Sequence, residues 1–323
     1  MRGPPTAVNS VWHKLCSRLQ TICVSFFSQS FTRSHGDTLY QVIDALTKKH
    51  SLLLSPQEWR KFLSTDTNGS LGVFDDLIHT TSETLALLEE TESFLTYPYT
   101  PELSARSTPL LERYTCATGK LYSWQMRVRS ASDKPLYWAK TSTLSHTNED
   151  ENTENAFPIV LEFQSLDIAV PFVFSWSALL QIHCSLIRIF ELLQSRYSDV
   201  ANLGESQQHS YNSPSQIREN LSPTPPPTSW PSLSSSIEEA NRLSRLICQS
   251  LEYSHNLDMG MLGPQATTYP QWVVRRYFRF HPGHEREFRW CCEFKNMRGP
   301  RHRSGVEMMM FTESILGEPY PPS

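Results

Sequence analysis

Glycine is scarce, at 12 of 323 residues, and none of these glycines forms a phosphate-binding or nucleophile-bearing motif. The patterns G-x-G-x-x-G, G-x-x-x-x-G-K-[ST] and G-x-S-x-G are all missing, which removes dinucleotide folds, P-loop enzymes and α/β-hydrolases. No C-x-x-C pair occurs, so thioredoxin-like and ordinary zinc-finger readings fall away. His284-Glu285 begins like a zincin helix, but Phe288 stands where the second histidine ligand belongs. Neither sign of charge is in strong excess, with 29 Lys and Arg against 33 Asp and Glu. A net charge of -4 gives no general pull toward nucleic acid, so any such affinity must come from a local patch.

The seven cysteines, Cys16, Cys23, Cys116, Cys184, Cys248, Cys291 and Cys292, are odd in number and widely spaced. On apolar helical faces they read as buried free thiols of an intracellular protein. His281, His284, Cys291 and Cys292 form the one cluster of possible metal ligands. Adjacent cysteines on a helix point about 100° apart, so a cap for His281, a surface place for His284 and core places for the thiols are expected. No cofactor is expected.

What is abundant is helical periodicity. Trp12, Leu15, Leu19, Ile22 and Phe26 predict a helix over about residues 10–33, and Leu39, Ile43 and Leu46 a second. Ser55-Pro56-Gln57-Glu58 is a helix start with its capping box. Phe74, Leu77, Ile78, Leu85 and Leu88 mark the inner face of a long amphipathic helix. Pro101 and Pro109 frame the start of another, carrying Leu111, Tyr114, Leu121, Trp124 and Val128. Residues 168–187 carry no charge and have the length of a membrane span. Pro171, Ser175, Ser177, Gln181, His183 and Ser185 dilute that run, which therefore predicts a central core helix from Leu166 to Tyr197 and no membrane partner. No sustained alternation predicts a strand, and the fold class is all-α.

Residues 198–235 are rich in serine and proline and cannot bury enough apolar surface to offset their ordering entropy. They predict a disordered loop or linker between a first helical part, 1–197, and a C-terminal helical part, 236–318, that packs on the same domain. Ser236-Ile237-Glu238-Glu239 reads as a capping box opening a helix with Ile237, Ala240, Leu243, Ile247 and Leu251 on one face. Gly260 and Gly263 are expected to end it with the left-handed conformation glycine permits, and Pro264 to begin the next helix. Leu262-Gly263-Pro264-Gln265-Ala266 is then a helix–helix joint and not a phosphate cradle.

A basic patch follows. Arg275, Arg276, Arg279, Arg286 and Arg289 are interleaved with Tyr277, Phe278, Phe280, Phe288 and Trp290, a composition that suits a nucleic-acid or partner surface. Trp272, Tyr277 and Phe280 fit one helical face, which reads the patch first as two amphipathic helices with aromatics inward and arginines wet. A ligand cavity lined by Trp124, Trp138, Trp176 and His183 is a further possibility on composition alone.

Taken together, residues 247–270 with the Gly263-Pro264-Gln265 joint, and "REFRWCCEF" at 286–294 around Trp290, resemble the C-terminal regulatory region of fungal Zn2Cys6 binuclear-cluster transcription factors. "SPQEWRKF" around Trp59, "PLYWAKTS" around Trp138, and "FPIVLEF" from Phe157-Pro158 resemble earlier parts of that region, ahead of a central helix holding Trp176. The resemblance implies an all-helical, non-enzymatic regulatory domain, nuclear (alternatively cytoplasmic), that contacts the transcription machinery or a DNA-binding homologue and is able to dimerise. It also implies a six-cysteine DNA-binding module, for which Cys16 and Cys23 are too few. Direct sequence-specific DNA binding is therefore not expected of these residues: the chain is a co-regulator or the back part of a longer protein.

Overall fold

The computed structural model describes residues 73–96, 102–144, 156–207, 231–260 and 262–297. The helices expected at 10–33 and around 39–46, the start at Ser55, Trp59 and residues 208–230 of the Ser/Pro-rich stretch lie outside them. The fold is all-α. Helices α1 (Val73–Leu95), α2 (Glu102–Ser130) and α3 (Leu166–Gln207) come first. After them follow α4 (Leu233–Ser254), a 3-10 turn (Leu257–Met259), the short α5 (Leu262–Ala266), α6 (Thr268–Phe280) and α7 (Glu285–Met297).

A short hairpin departs from the expectation of helices alone. Tyr137–Thr141 (β1) and Ile159–Phe163 (β2) pair antiparallel, from Tyr137 opposite Phe163 to Thr141 opposite Ile159. The hairpin escapes periodicity because β1 is exposed over most of its length, while β2 is a short, nearly continuous apolar run.

Helix α3 is the axis of the core. Phe172, Val173, Trp176, Leu179, Leu180, Ile182, Leu186 and Ile189 are all buried, and α1, α2, α4 and α6 pack against it. Its composition would allow it to cross a bilayer, but 89% of the apolar window is buried inside the protein. Three of its polar side chains find partners within the helix or on its neighbours. Ser175 and Ser177 donate to the carbonyls of Phe172 and Val173 at 2.9 and 2.8 Å, and Gln181 donates to the Tyr269 hydroxyl at 2.9 Å. The helix runs to Gln207, past the expected end at Tyr197, so the Ser/Pro-rich segment begins inside it.

The apolar faces of α1 and α2 meet as their periodicity requires. Leu77, Ile78, Leu85 and Leu88 are buried against Leu111, Tyr114, Leu121 and Trp124 in one cluster. The Tyr114 hydroxyl lies 2.6 Å from the Thr91 hydroxyl and 3.2 Å from the Leu87 carbonyl, and burial pushes its pKa up to about 12. Pro109 does not start α2. It sits within the helix, which begins at Glu102 and gives up one backbone hydrogen bond there.

Helix α4 is capped four residues earlier than expected, at Ser232 in place of Ser236. Ser232 is the N-cap: its hydroxyl accepts the Ser235 N–H at 3.1 Å, and its own N–H donates to the Ser235 hydroxyl at 2.8 Å. Ala240, Leu243, Ile247 and Leu251 are buried as expected, but at the start of the face Ser236 is buried and Ile237 is on the surface. A run of serines offers several equivalent caps, and packing of Ala240, Leu243, Ile247 and Leu251 selects among them.

Candidate partner-binding surface

The surface is built from the C-terminal end of α4 outward. Helix α4 ends at Ser254, and Gly260 at φ +56° closes the 3-10 turn behind it. Gly263 serves a different purpose from the expected left-handed cap. A Cβ built there would lie 1.8 Å from the Ser254 carbonyl oxygen, so glycine lets α5 cross the end of α4 in backbone contact. Pro264 and Gln265 fall within α5, and the segment is a helix–helix joint. Below it, His255 and Thr267 are buried with Gln271 in a small polar network. The His255 Nε2 lies 3.1 Å from the Thr267 hydroxyl and 3.1 Å from the Gln271 amide nitrogen, which donates to it.

Helix α6 leaves this joint with Tyr269, Trp272, Val273, Val274, Tyr277 and Phe278 buried. Phe280 does not join them. It is the last residue of the helix and is 43% exposed. Arg276 lies over both Trp272 and Phe280, at 5.6 and 5.7 Å, and Arg279 lies 5.7 Å from Phe280 on the same ring. An exposed aromatic flanked by two guanidinium groups is the surface's distinguishing chemistry.

His281 caps α6, as expected: its backbone N–H and its ring Nδ1 both reach the Tyr277 carbonyl, at 3.2 and 2.8 Å. Gly283 at φ +84° turns the chain into α7. His284 is not a surface residue; it is tucked against Tyr277 and Phe278, and burial lowers its pKa. On α7, Glu287, Trp290, Cys291 and Phe294 face inward, while Arg286 and Arg289 are exposed. Trp290 meets Phe157 edge-on at 4.7 Å, which fastens α7 beside the start of β2. Glu287 accepts from Arg245 of α4 at 2.9 Å.

Of the five arginines named from the sequence, Arg279, Arg286 and Arg289 are exposed and Arg275 and Arg276 are half-buried. The structure does not bring together the proposed cavity lining. Trp124 and Trp176 are sealed in the core, whereas Trp138 points outward from β1, 46% exposed. Among the described residues no three possible metal ligands gather. The expectation of buried thiols holds for Cys248 and Cys291, but Cys116 is exposed and Cys184 and Cys292 are half-buried.

Sequence reasoning missed two polar junctions. Cys248 and Cys291 lie with their sulfurs 3.6 Å apart, and burial pushes the Cys248 thiol well above its usual pKa, which keeps it protonated and unreactive. The second is on α4, where Glu239 accepts from Tyr122 of α2 and from Arg242 at 2.5 and 2.7 Å. Burial alone would raise the Glu239 carboxyl, but those hydrogen bonds outweigh it and hold the group below its ordinary value. Beside this cluster His183 is 6% exposed, with neither ring nitrogen hydrogen-bonded, and burial lowers its pKa to about 4. Neither junction has a sequence signature, because Cys248 and Cys291, and Tyr122 and Glu239, meet from tens of positions apart.

No family model, curated protein or solved structure matches the chain.

Proposed function

We propose that this chain is a regulatory, protein-interaction domain of the transcription-regulator type, non-enzymatic and nuclear, which acts through protein contacts and not through specific DNA contacts of its own. One observation supports the reading above others: the separate segments that resemble that class interlock. "PLYWAKTS" and "FPIVLEF" are the two strands of the hairpin. Phe157 of the second segment packs on Trp290 of "REFRWCCEF", and the Gly263 joint closes on the end of α4. In this reading the arginine-flanked Phe280 is the contact surface, and its partner is an acidic, aromatic-containing face of another regulator.

Imaging of the tagged full chain in a fungal cell tests the location, with nuclear enrichment expected. Uniform exclusion from the nucleus would favour a cytoplasmic helical adaptor instead. Binding of the purified chain to duplex DNA should be weak and steeply salt-dependent, since scattered arginines supply phosphate contacts without base readout. Tight, sequence-selective binding at physiological salt would refute the absence of DNA recognition.

A further inference from the structure

We propose that the outer edge of β1 is a docking site for a second copy of this chain, pairing β1 with β1 across a two-fold axis centred on Ala139. The phase of the ladder decides which groups are available. Ser142 donates to the Pro158 carbonyl at 2.9 Å and Gln164 donates to the Leu136 carbonyl at 3.0 Å. In an antiparallel pair the hydrogen-bonded positions alternate, so Leu136, Trp138, Lys140 and Ser142 direct their backbone groups at β2. Tyr137, Ala139 and Thr141 direct theirs the other way. Among the described residues no strand pairs with that edge.

The edge is also held rigid at both ends. The Gln164 side chain donates to the Pro135 carbonyl at 2.8 Å, just ahead of β1. Beyond its other end, Glu252 of α4 accepts from the Ser142 hydroxyl at 2.6 Å and from the Thr143 N–H and hydroxyl at 2.9 and 2.5 Å. A strand already fixed in its extended form loses little entropy on pairing.

Self-complementarity singles out a second copy as the occupant. With the axis at Ala139, Tyr137 pairs with the partner's Thr141, Ala139 with the partner's Ala139, and Thr141 with the partner's Tyr137. All three outward-facing residues then exchange both backbone hydrogen bonds. Trp138 falls opposite the partner's Lys140 in the closer, non-hydrogen-bonded kind of pair, where ammonium and indole attract. Moving the axis to Lys140 would set lysine against lysine, and moving it to Trp138 would leave Thr141 unpaired. A lysine in mid-strand commonly blunts an exposed edge. Here Lys140 lies 3.4 Å from Glu162 of the same hairpin, and the Ala139-centred register turns it toward an aromatic ring.

The test is sedimentation of the full chain with two variants. The wild type should associate reversibly, with a dissociation constant of about 10–100 μM, as a small interface of this kind implies. Ala139→Pro removes the central outward N–H, which the fold does not use, and proline is tolerated at edge positions whose N–H faces solvent. It should weaken association by at least about tenfold, the effect of roughly 1.4 kcal/mol. Trp138→Lys, at an exposed position, should do the same by placing like charges together. Amide hydrogen exchange supplies a second readout: Tyr137, Ala139 and Thr141 should gain protection as concentration rises, while Trp138 and Lys140 are protected throughout. A chain that stays monomeric at about 100 μM, or a dimer that survives Trp138→Lys and shows no such exchange pattern, would overturn the proposal and leave the edge to a strand from another protein.

Discussion

The two ends of helix α4 bury polar groups in opposite ways. Toward its N-terminus, Glu239 sits half-buried in an ionic cluster with Arg242 and Tyr122, and His183 lies near enough to feel both charges. Toward its C-terminus, Glu252 is buried and held by the Ser142 and Thr143 hydroxyls and the Thr143 N–H, while Ser254 touches the backbone of α5. The first end is a wet junction between α2, α3 and α4 whose strength depends on protons and salt. The second is a dry junction that fixes the hairpin and the basic surface, and its strength depends on fit. The two ends should therefore fail under different stresses.

The largest effect belongs to fit. Gly263→Ala must push α5 off the Ser254 carbonyl, and backbone cannot give way as a side-chain tip would. We expect a loss of about 3–5 kcal/mol in urea unfolding, in the range of severe overpacking. The same substitution at Gly119, inside α2 with no atom within 4 Å of an added Cβ, should instead stabilise by about 0.5–1 kcal/mol. Equal effects at the two glycines would show that α5 does not rest on α4.

Protons should tell next, at the other end. The folded-state pKa of His183 lies near 4, below the ordinary imidazole value of 6.5 that the unfolded chain retains, so the unfolded chain takes up the proton first as pH falls. The contribution is complete above about pH 6.5 and is lost between there and pH 4, at most about 3 kcal/mol. Unfolding curves at pH 7 and pH 5 measure it. His183→Leu removes two buried nitrogens without hydrogen bonds, so it should add about 1 kcal/mol at pH 7 and flatten the slope across that window. An unchanged slope would assign the acid sensitivity to another group.

The same contrast separates what the sequence revealed from what it hid. The faces of α1, α2 and α3 were legible because periodicity alone decides which residues are covered when a helix lies along a core. Phe280 was not, since it shares its helical face with the buried Trp272 yet is exposed at the last residue of α6. The pattern around Gly263 marks a joint, but its constraint comes not from a left-handed cap but from the carbonyl of Ser254, which no local pattern announces. The hairpin was hidden because β1 has no buried face to alternate. Of the candidate surface, the arginines stand out in composition, but the placing of Arg276 and Arg279 over Phe280 depends on the exposure of that ring, which composition does not show.

Glu252 sharpens the comparison at the dry end. Glu252→Ala leaves the Thr143 N–H and two hydroxyls without their acceptor, and should cost about 2 kcal/mol, with little dependence on salt. Because it frees the end of β1, exchange at Ser142 and Thr143 should rise more than exchange in α2. A uniform rise across the protein would mean that the carboxylate supports the fold at large and does not serve mainly to hold the strand.

The smallest effect is the one that most directly probes the wet end. The Glu239 carboxyl titrates below its ordinary value, so its contribution is present above the unfolded carboxylate pKa and is lost as pH falls through the folded one, a window more acidic than that of His183. Glu239 is half open to solvent, and screening limits Glu239→Gln to a loss of about 0.5 kcal/mol at neutral pH and moderate salt. That loss should shrink toward zero in about 1 M salt, where charges are screened within roughly 3 Å, while the Glu252→Ala loss stays nearly constant. A salt-independent Glu239→Gln effect would mean that the Tyr122 hydrogen bond, and not the Arg242 ion pair, holds α4 to α2 there, and the ionic character assigned to this end would have to be given up.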